Sequence, residues 1–279
     1  MSEICVAHLV REKNGIAPFR AFLGSYRENS GGVEHDLLII FKGFDDRFVP
    51  AEYSALLDGL SYHTLFLPDE GFDIGPYFHA ARTLDYHYFC FLNSFSVLLD
   101  ENWLAKMYNY VRREGVGVVG ATASHESFYS TFLHNWWSNR SKWLYRGMLG
   151  NEYRKIREVL TYRKRFPPFP NHHLRSNAFI IPRELMLKLN PGPLKEKIDA
   201  HEFESGRESM TRQILALHLK ALVVGRDGRA YEKENWGESF TFKSGDQRNL
   251  LVADNQTRRY ADADARTQQA LTQDAWGRV

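Results

Sequence analysis

Short runs of almost uninterrupted apolar residues recur along the amino-terminal part of the chain, each followed by a segment of helical spacing. Ile4–Val10 (ICVAHLV), Asp36–Phe41 (DLLIIF), Tyr62–Leu67, Tyr86–Leu92 (YHYFCFL) and Val116–Ala121 (VGVVGA) read as strands. Phe19–Tyr26, Pro50–Leu60, Gly75–Asp85 and Trp103–Arg113 lie between them and place their apolar residues as helices do. A strand that is apolar on both faces must be covered on both faces, and alternation with helices supplies that cover. The pattern predicts an α/β fold with a mostly parallel central sheet flanked by helices. Asn177–Ile181 (NAFII) and Ala221–Gly225 add strands, with helices over Arg183–Leu189 and Ser209–Leu219.

From Ser124 to Pro170 the character changes. An aromatic-rich segment with Phe128, Phe132, Trp136 and Trp137 leads into the basic stretch Tyr153–Arg165, closed by PPFP. The expected organisation is one domain over 1–250, with a helical aromatic and basic excursion at 124–170, and a polar tail over 251–279. The tail has few large apolar residues, so loose docking or partial disorder is expected of it. The excursion suits two arrangements: packing on the sheet through its aromatic face, or contact with a partner or membrane surface.

A formal net charge of +2 over 279 residues excludes a nucleic-acid binder organised over the whole chain. Cys5 and Cys90 make neither a disulfide framework nor a zinc site. The opening MSEICVAHLVREKNG lacks the pattern of a signal peptide, and no run is long enough to span a bilayer. A cytoplasmic protein is expected. The phosphate loop G-x-x-x-x-G-K-[ST], a G-x-G-x-x-G after the first strand, G-x-S-x-G and H-E-x-x-H are all absent from the sequence.

Leu65–Ala80 (LFLPDEGFDIGPYFHA) places Gly71, Asp73 and Gly75 within five residues. Such a stretch suits a loop that turns sharply or admits a close neighbour. It is either an ordinary strand-to-helix turn or part of the rim where open sheets bind ligands. The predicted strand ends carry His8, Arg11, Asn14, Lys42, Asp69, Glu70, Asp73, Asn93, His173, Arg175, Asn177, Glu202, Glu204, Arg207 and Glu208. Cations and backbone N–H groups on such a rim hold a diphosphate, and a carboxylate there acts as a base toward a hydroxyl. That chemistry is group transfer from an activated donor.

GFDIGPYFHAAR at Gly71–Arg82 is similar to a segment of bacterial polysaccharide-synthesis glycosyltransferases, including the rhamnan synthesis protein F group. YHYFCFLNSFSVLL occupies the place where those enzymes present a D-x-D motif. HLRSNAFIIPREL resembles their later acceptor-side strand, and FESGRESMTRQIL the acidic segment before the helix that bears the base. Over Cys5–Tyr231 the chain thus resembles a GT-A-fold glycosyltransferase. The resemblance implies transfer from a nucleotide-diphosphate sugar to a hydroxyl of a glycan or lipid-linked acceptor, with inversion, in the cytoplasm or peripherally at the inner face of the membrane.

It also implies roles. His8, Arg11 and Lys42 would lie near the nucleotide and its phosphates, and Asp73 at ribose or sugar hydroxyls. Asn93 would face the donor, while His173, Arg175, Asn177 and Arg207 would meet the diphosphate or acceptor. Glu204 or Glu208 would be the base. One departure stands out: where D-x-D would hold a divalent ion, the chain reads Asn93-Ser94-Phe95. One Asn cannot replace a carboxylate pair as a ligand for a hard cation. Either transfer is metal-independent, which is the expectation, or Mg2+ or Mn2+ is held elsewhere, or the chain is a non-catalytic glycan- or partner-binding protein. A nucleotidyltransferase also needs acidic metal ligands, for which no good pair is visible.

Overall fold

In β1 (Ile4–Arg11) the alternation of side chains makes two cores at once. Ile4, Val6 and Val10 enter the cluster on one face of the sheet; Cys5, Ala7 and Leu9 enter the cluster on the other. All six are buried, as a strand covered on both sides requires. The computed structural model describes residues 2–44, 48–138 and 150–277. The acidic pair Asp45–Asp46 and the middle of the aromatic and basic excursion lie outside them.

The chain runs β1, α1 (Ile16–Glu28), β2 (Asp36–Lys42), α2 (Ala51–Leu57), β3 (His63–Leu67), α3 (Ile74–Thr83), β4 (Tyr88–Leu92), β5 (Val97–Leu98), α4 (Trp103–Val111), β6 (Val116–Gly120) and β7 (Ala123–Ser124). After α5 (Phe128–Ser138) and α6 (Gly150–Arg165) come β8 (His173–Leu174), β9 (Ala178–Pro182), α7 (Arg183–Lys188), α8 (Lys197–Ser205), α9 (Met210–Ala216), β10 (Lys220–Val224) and β11 (Ala230–Tyr231). β12 (Val252–Ala253), α10 (Asn255–Ala261) and α11 (Ala265–Trp276) close the chain.

The main sheet has eight strands in the order β11-β10-β6-β9-β4-β1-β2-β3. Six share one direction, and only β9 and β11 oppose them. The fold is therefore α/β with a largely parallel sheet. Phe19, Phe22, Tyr53 and Trp103 from α1, α2 and α4 pack on one face. Tyr77, Phe78, Met186, Phe203 and Ile214 from α3, α7, α8 and α9 pack on the other. The reversal of β9, inserted between β4 and β6, decides where the site lies. It brings the residues preceding β9 to the carboxyl end of β4, where Asn93 N–H donates to Asn177 O at 2.9 Å.

Two expectations are corrected. His8, expected at the nucleotide, is wholly buried in mid-strand and stacks on Phe22 with ring centroids 3.6 Å apart. Its even position puts it on the same face as Val6 and Val10, under α1. The closing segment is not loosely docked. Leu251, Val252, Asp254, Thr257 and Tyr260 are buried, β12 pairs with β5, and Trp276 Nε1–H donates to Phe242 O at 2.7 Å. Its few apolar anchors are joined by the buried polar pair Asp254 and Thr257, which hydrophobic patterning does not register.

Within the excursion, Phe132 stacks on Tyr162 at 4.8 Å and Phe128 packs on Phe166 at 5.0 Å. Ile156 and Leu160, one turn apart on α6, are exposed beside Arg157, Arg163 and Lys164. Among the described residues no helix is long and apolar enough to cross a membrane.

Burial lowers His8 from 6.5 to about 3, and both ring nitrogens lack a partner. The unfolded chain therefore binds the extra proton between these values, and stability falls as pH drops through them. His8→Leu, which removes two orphaned polar atoms, should leave stability at pH 7 equal or higher and flatten the acid limb. Urea unfolding at pH 7 and about pH 4.5 checks this; equal losses in wild type and variant would contradict it.

Candidate active site

The carboxylate of Asp69, just past β3, joins the ends of three parallel strands. Arg11, the last residue of β1, donates to it through Nε at 2.7 Å and Nη2 at 2.8 Å. Lys13 Nζ lies 2.9 Å away, and Lys42 Nζ, from the end of β2, 3.6 Å away. The bonds from Arg11, followed by those from Lys13 and the nearby cations, hold the Asp69 carboxyl well below the usual carboxylate range. Lys42 also donates to Phe72 O at 2.5 Å. That bond secures a strained turn: Gly71 and Phe72 both have positive φ, 68° and 52°. A Cβ on Gly71 would lie 3.0 Å from Gly75 Cα, which explains both glycines of the motif.

The turn delivers Asp73 to a pocket of about 370 Å3. Arg11, Asp73, Asn93, Arg175, Asn177 and Glu204 line it together, so six of the residues given roles from the sequence converge, with Asn14 beside them. Arg11 and Phe72 also line a second cleft of about 550 Å3 at the ends of β1, β2 and β3, floored by Lys42 and Asp69. Asp73 sits at the N-cap position of α3 but makes no side-chain cap bond. Its carboxyl is pushed up by burial and by Glu204, against the pull of Lys42 and Arg11.

Glu204, near the end of α8, accepts through Oε2 from Ser176 N–H at 2.7 Å and from Ser176 Oγ–H at 2.5 Å. Burial opposes its charge, but Arg175, His173 and these two bonds together hold it below its ordinary value. Arg175 is almost wholly buried. Its Nη2 donates to Asp254 Oδ2 at 2.7 Å, and its guanidinium carbon lies 4.2 Å from the centre of the Phe242 ring. Asp254 is also the N-cap of α10, accepting from Gln256 N–H and Thr257 N–H through Oδ1. Burial opposes its charge as well, and Arg175 outweighs that.

The other expected residues fall elsewhere. Lys42 is buried beneath the β3–α3 loop, so its first partners are protein groups. His173 is buried with Nδ1 on Asn171 O at 2.7 Å and is not among the pocket's lining residues; burial lowers its pKa. Arg207 and Glu208 lie beyond the end of α8 on the wall of a separate cleft, where Arg207 donates to Arg163 O. Glu208 lies four residues after Glu204, past the C-cap Gly206 that ends α8, and is exposed. Lys197, His201, Asp254, Asn255 and Gln256 line the pocket without having been marked as ligand-binding. Asp254-Asn255-Gln256-Thr257 has the form of a helix start, which hides its second role.

The D-x-D position supplies no carboxylate for a divalent ion. Among the described residues no group of three or more His, Cys, Asp or Glu is placed to hold one. Asn93 Oδ1, the oxygen at the D-x-D position, accepts from Phe95 N–H at 3.0 Å and Ser96 Oγ–H at 3.1 Å, within its own turn.

No family model matches the chain, and no curated protein matches it. Solved structures do. A mannosyltransferase from Pyrobaculum calidifontis, in complex with GDP-Man and Mn2+, is 12% identical over 98% of this chain and 69% of its own, with a TM-score of 0.49. Mouse xyloside xylosyltransferase 1 is 14% identical over 66% of this chain and 69% of its own, at 0.38. TarS 1–349 of S. aureus is 12% identical over 43% of this chain, at 0.34, and the chain spans about a third (35%) of it. These overlaps are loose, and the functional reading rests on the chain's own residues.

Asp254→Ala leaves Arg175 buried without its counter-ion, and a loss of about 3–5 kcal/mol is expected. Arg175→Met combined with Asp254→Ala should recover much of it, because the stranded charge is gone. Denaturant unfolding of the single and double variants measures both; additive losses would argue against the coupling.

Proposed function

We propose that the chain is a GT-A-type glycosyltransferase, moving a sugar from a nucleotide-diphosphate donor to a hydroxyl of a glycan or lipid-linked acceptor. The observation that carries this reading is one pocket in which buried N–H donors from Arg175 and Asn177 adjoin two carboxylates with open oxygens, Asp73 and Glu204. Donors of that kind suit a diphosphate, and open carboxylate oxygens suit hydroxyls. The adjoining larger cleft, reached past Arg11, has room for the nucleoside. The rhamnan-synthesis kinship is supported by the Gly71–Arg82 motif alone.

Glu204 is the base in this reading. Its free Oε1 takes the proton of the acceptor hydroxyl while the hydroxyl oxygen attacks the anomeric carbon. The bond from that carbon to the diphosphate oxygen breaks, and the nucleoside diphosphate leaves with its electron pair. In-line attack of this kind inverts the anomeric centre. Asp73 binds sugar or ribose hydroxyls, and Arg11 the phosphate side. Because α6 presents Ile156 and Leu160 beside basic residues, we place the excursion at an anionic membrane surface where a lipid-linked acceptor would lie.

Assay with a panel of UDP-, GDP- and dTDP-sugars tests the reading. Glu204→Gln, which keeps an acceptor for Ser176 N–H, should lower kcat by about 10²–10⁴-fold. Asp73→Asn should chiefly raise KM, and Glu208→Gln should change neither. Because Glu204 is held below its ordinary 4.5, acidification from pH 7 to about 5 should not titrate it, and kcat should hold. Donor binding without turnover across the whole panel would favour a non-catalytic glycan-binding protein instead.

Leu160→Glu with Lys164→Glu should abolish binding to vesicles of anionic lipid while leaving soluble-acceptor transfer intact. Unchanged vesicle binding would remove the membrane contact.

A further inference from the structure

We infer that this pocket grips the donor's diphosphate with a fixed set of N–H donors on Arg175, Asn177 and Asn93, which stand where a divalent cation would otherwise lie. The inference rests on the glycosyl-transfer reading and names how its leaving group is held.

Three observations converge at the junction of β4 and β9. Asn93 uses its Oδ1 to accept from Phe95 N–H and Ser96 Oγ–H. A backbone N–H can only donate, so the oxygen must face the turn, and Nδ2 is left without a bond to any described residue. Asn177, joined to Asn93 through the backbone, uses its Oδ1 to accept from Thr122 Oγ1–H at 2.7 Å; its Nδ2 is buried and has no partner. Arg175 gives Nη2 to Asp254 and leaves Nη1 buried with no partner. Arg175 and Asn177 are 5% and 2% exposed, and all three residues line the one pocket.

A buried donor without an acceptor costs about 1–3 kcal/mol, more when charged, so native proteins rarely leave two on residues that line one pocket without a ligand to complete them. Phosphate oxygens are such acceptors. Among the described residues no group of three or more His, Cys, Asp or Glu is placed to cage a cation, so these donors are the groups on hand for the phosphate oxygens. Both oxygens of Asp254 are already engaged, Oδ2 by Arg175 and Oδ1 by Gln256 and Thr257 N–H. The open carboxylate oxygens belong to Asp73 and Glu204, whose charges face Lys42 and Arg11, and Arg175, respectively. Arg175 is also held rigid between Asp254 and the Phe242 ring, so its free nitrogen is oriented before any ligand arrives.

Inorganic pyrophosphate is the probe, titrated calorimetrically against the full chain in EDTA and again in Mn2+. Wild type should bind in EDTA with an affinity that Mn2+ does not improve. Asn93→Asp retains the oxygen that caps Phe95 and Ser96, so it should fold, with an unchanged melting temperature. It replaces the outward N–H with a carboxylate oxygen and should weaken binding in EDTA by about tenfold or more. Arg175→Lys keeps the charge but cannot serve Asp254 and the ligand together, and should weaken binding as well. Pyrophosphate binding that appears only with Mn2+, that is absent in both buffers, or that survives Asn93→Asp undiminished in EDTA would overturn the inference. Turnover of a sugar nucleotide in Mn2+ would leave glycosyl transfer standing after any of these results. Pyrophosphate binding in EDTA without turnover from any donor would defeat the enzymatic reading and uphold this one.

Discussion

The shared carboxylate of Asp69 is the interaction on which the rim of this molecule depends. Parallel strands bring their carboxyl ends together, and here two of those ends carry cations, Arg11 and Lys42. Like charges on neighbouring strand ends repel, and Lys42 is buried, where an unpaired ammonium is costly. Asp69 answers both from the third strand, with Lys13 added from outside. Lys42 is thereby left close enough to hold Phe72 O, and a turn with two consecutive left-handed residues is kept in place. Asp73 faces the pocket because of this chain of bonds.

Much of the scaffold was legible in the sequence because burial on both faces leaves a plain trace. Runs such as DLLIIF and YHYFCFL admit few other readings, and the parallel majority of the sheet follows from the helices between them. The direction of β9 was not legible. NAFII is apolar in either orientation, and nothing in its pattern says that it runs against its neighbours. Yet this reversal sets Asn177 beside Asn93. His8 misled for a related reason: a polar residue close to a strand end looks like a rim residue until its parity and its stacking on Phe22 are known.

The candidate site was legible in kind more than in arrangement. Arg11, Asp73, Asn93, Arg175, Asn177 and Glu204 were visible as chemistry near strand ends, and they converge. Glu204 and Glu208 could not be separated by sequence, since both precede a helix; α8 ends between them with Gly206 as its C-cap, and they line different clefts. Asp254 was hidden by its own capping motif. A residue that caps a helix with one oxygen and grips an arginine with the other shows only the first role in its neighbours.

The bond between Arg175 and Asp254 joins residues 79 positions apart. A ribosome makes the chain from its amino terminus, so Arg175 emerges long before the only carboxylate with which it forms an ion pair among the described residues. Until Asp254, Asn255 and Gln256 follow, one wall of the pocket does not exist and Arg175 lacks its ion-pair partner. The Asp69 knot and the pairings of β1 with β2 and β2 with β3 use residues of the first quarter of the chain alone. Along the chain, the residues of the Asp69 knot come first and those that complete the cavity come last.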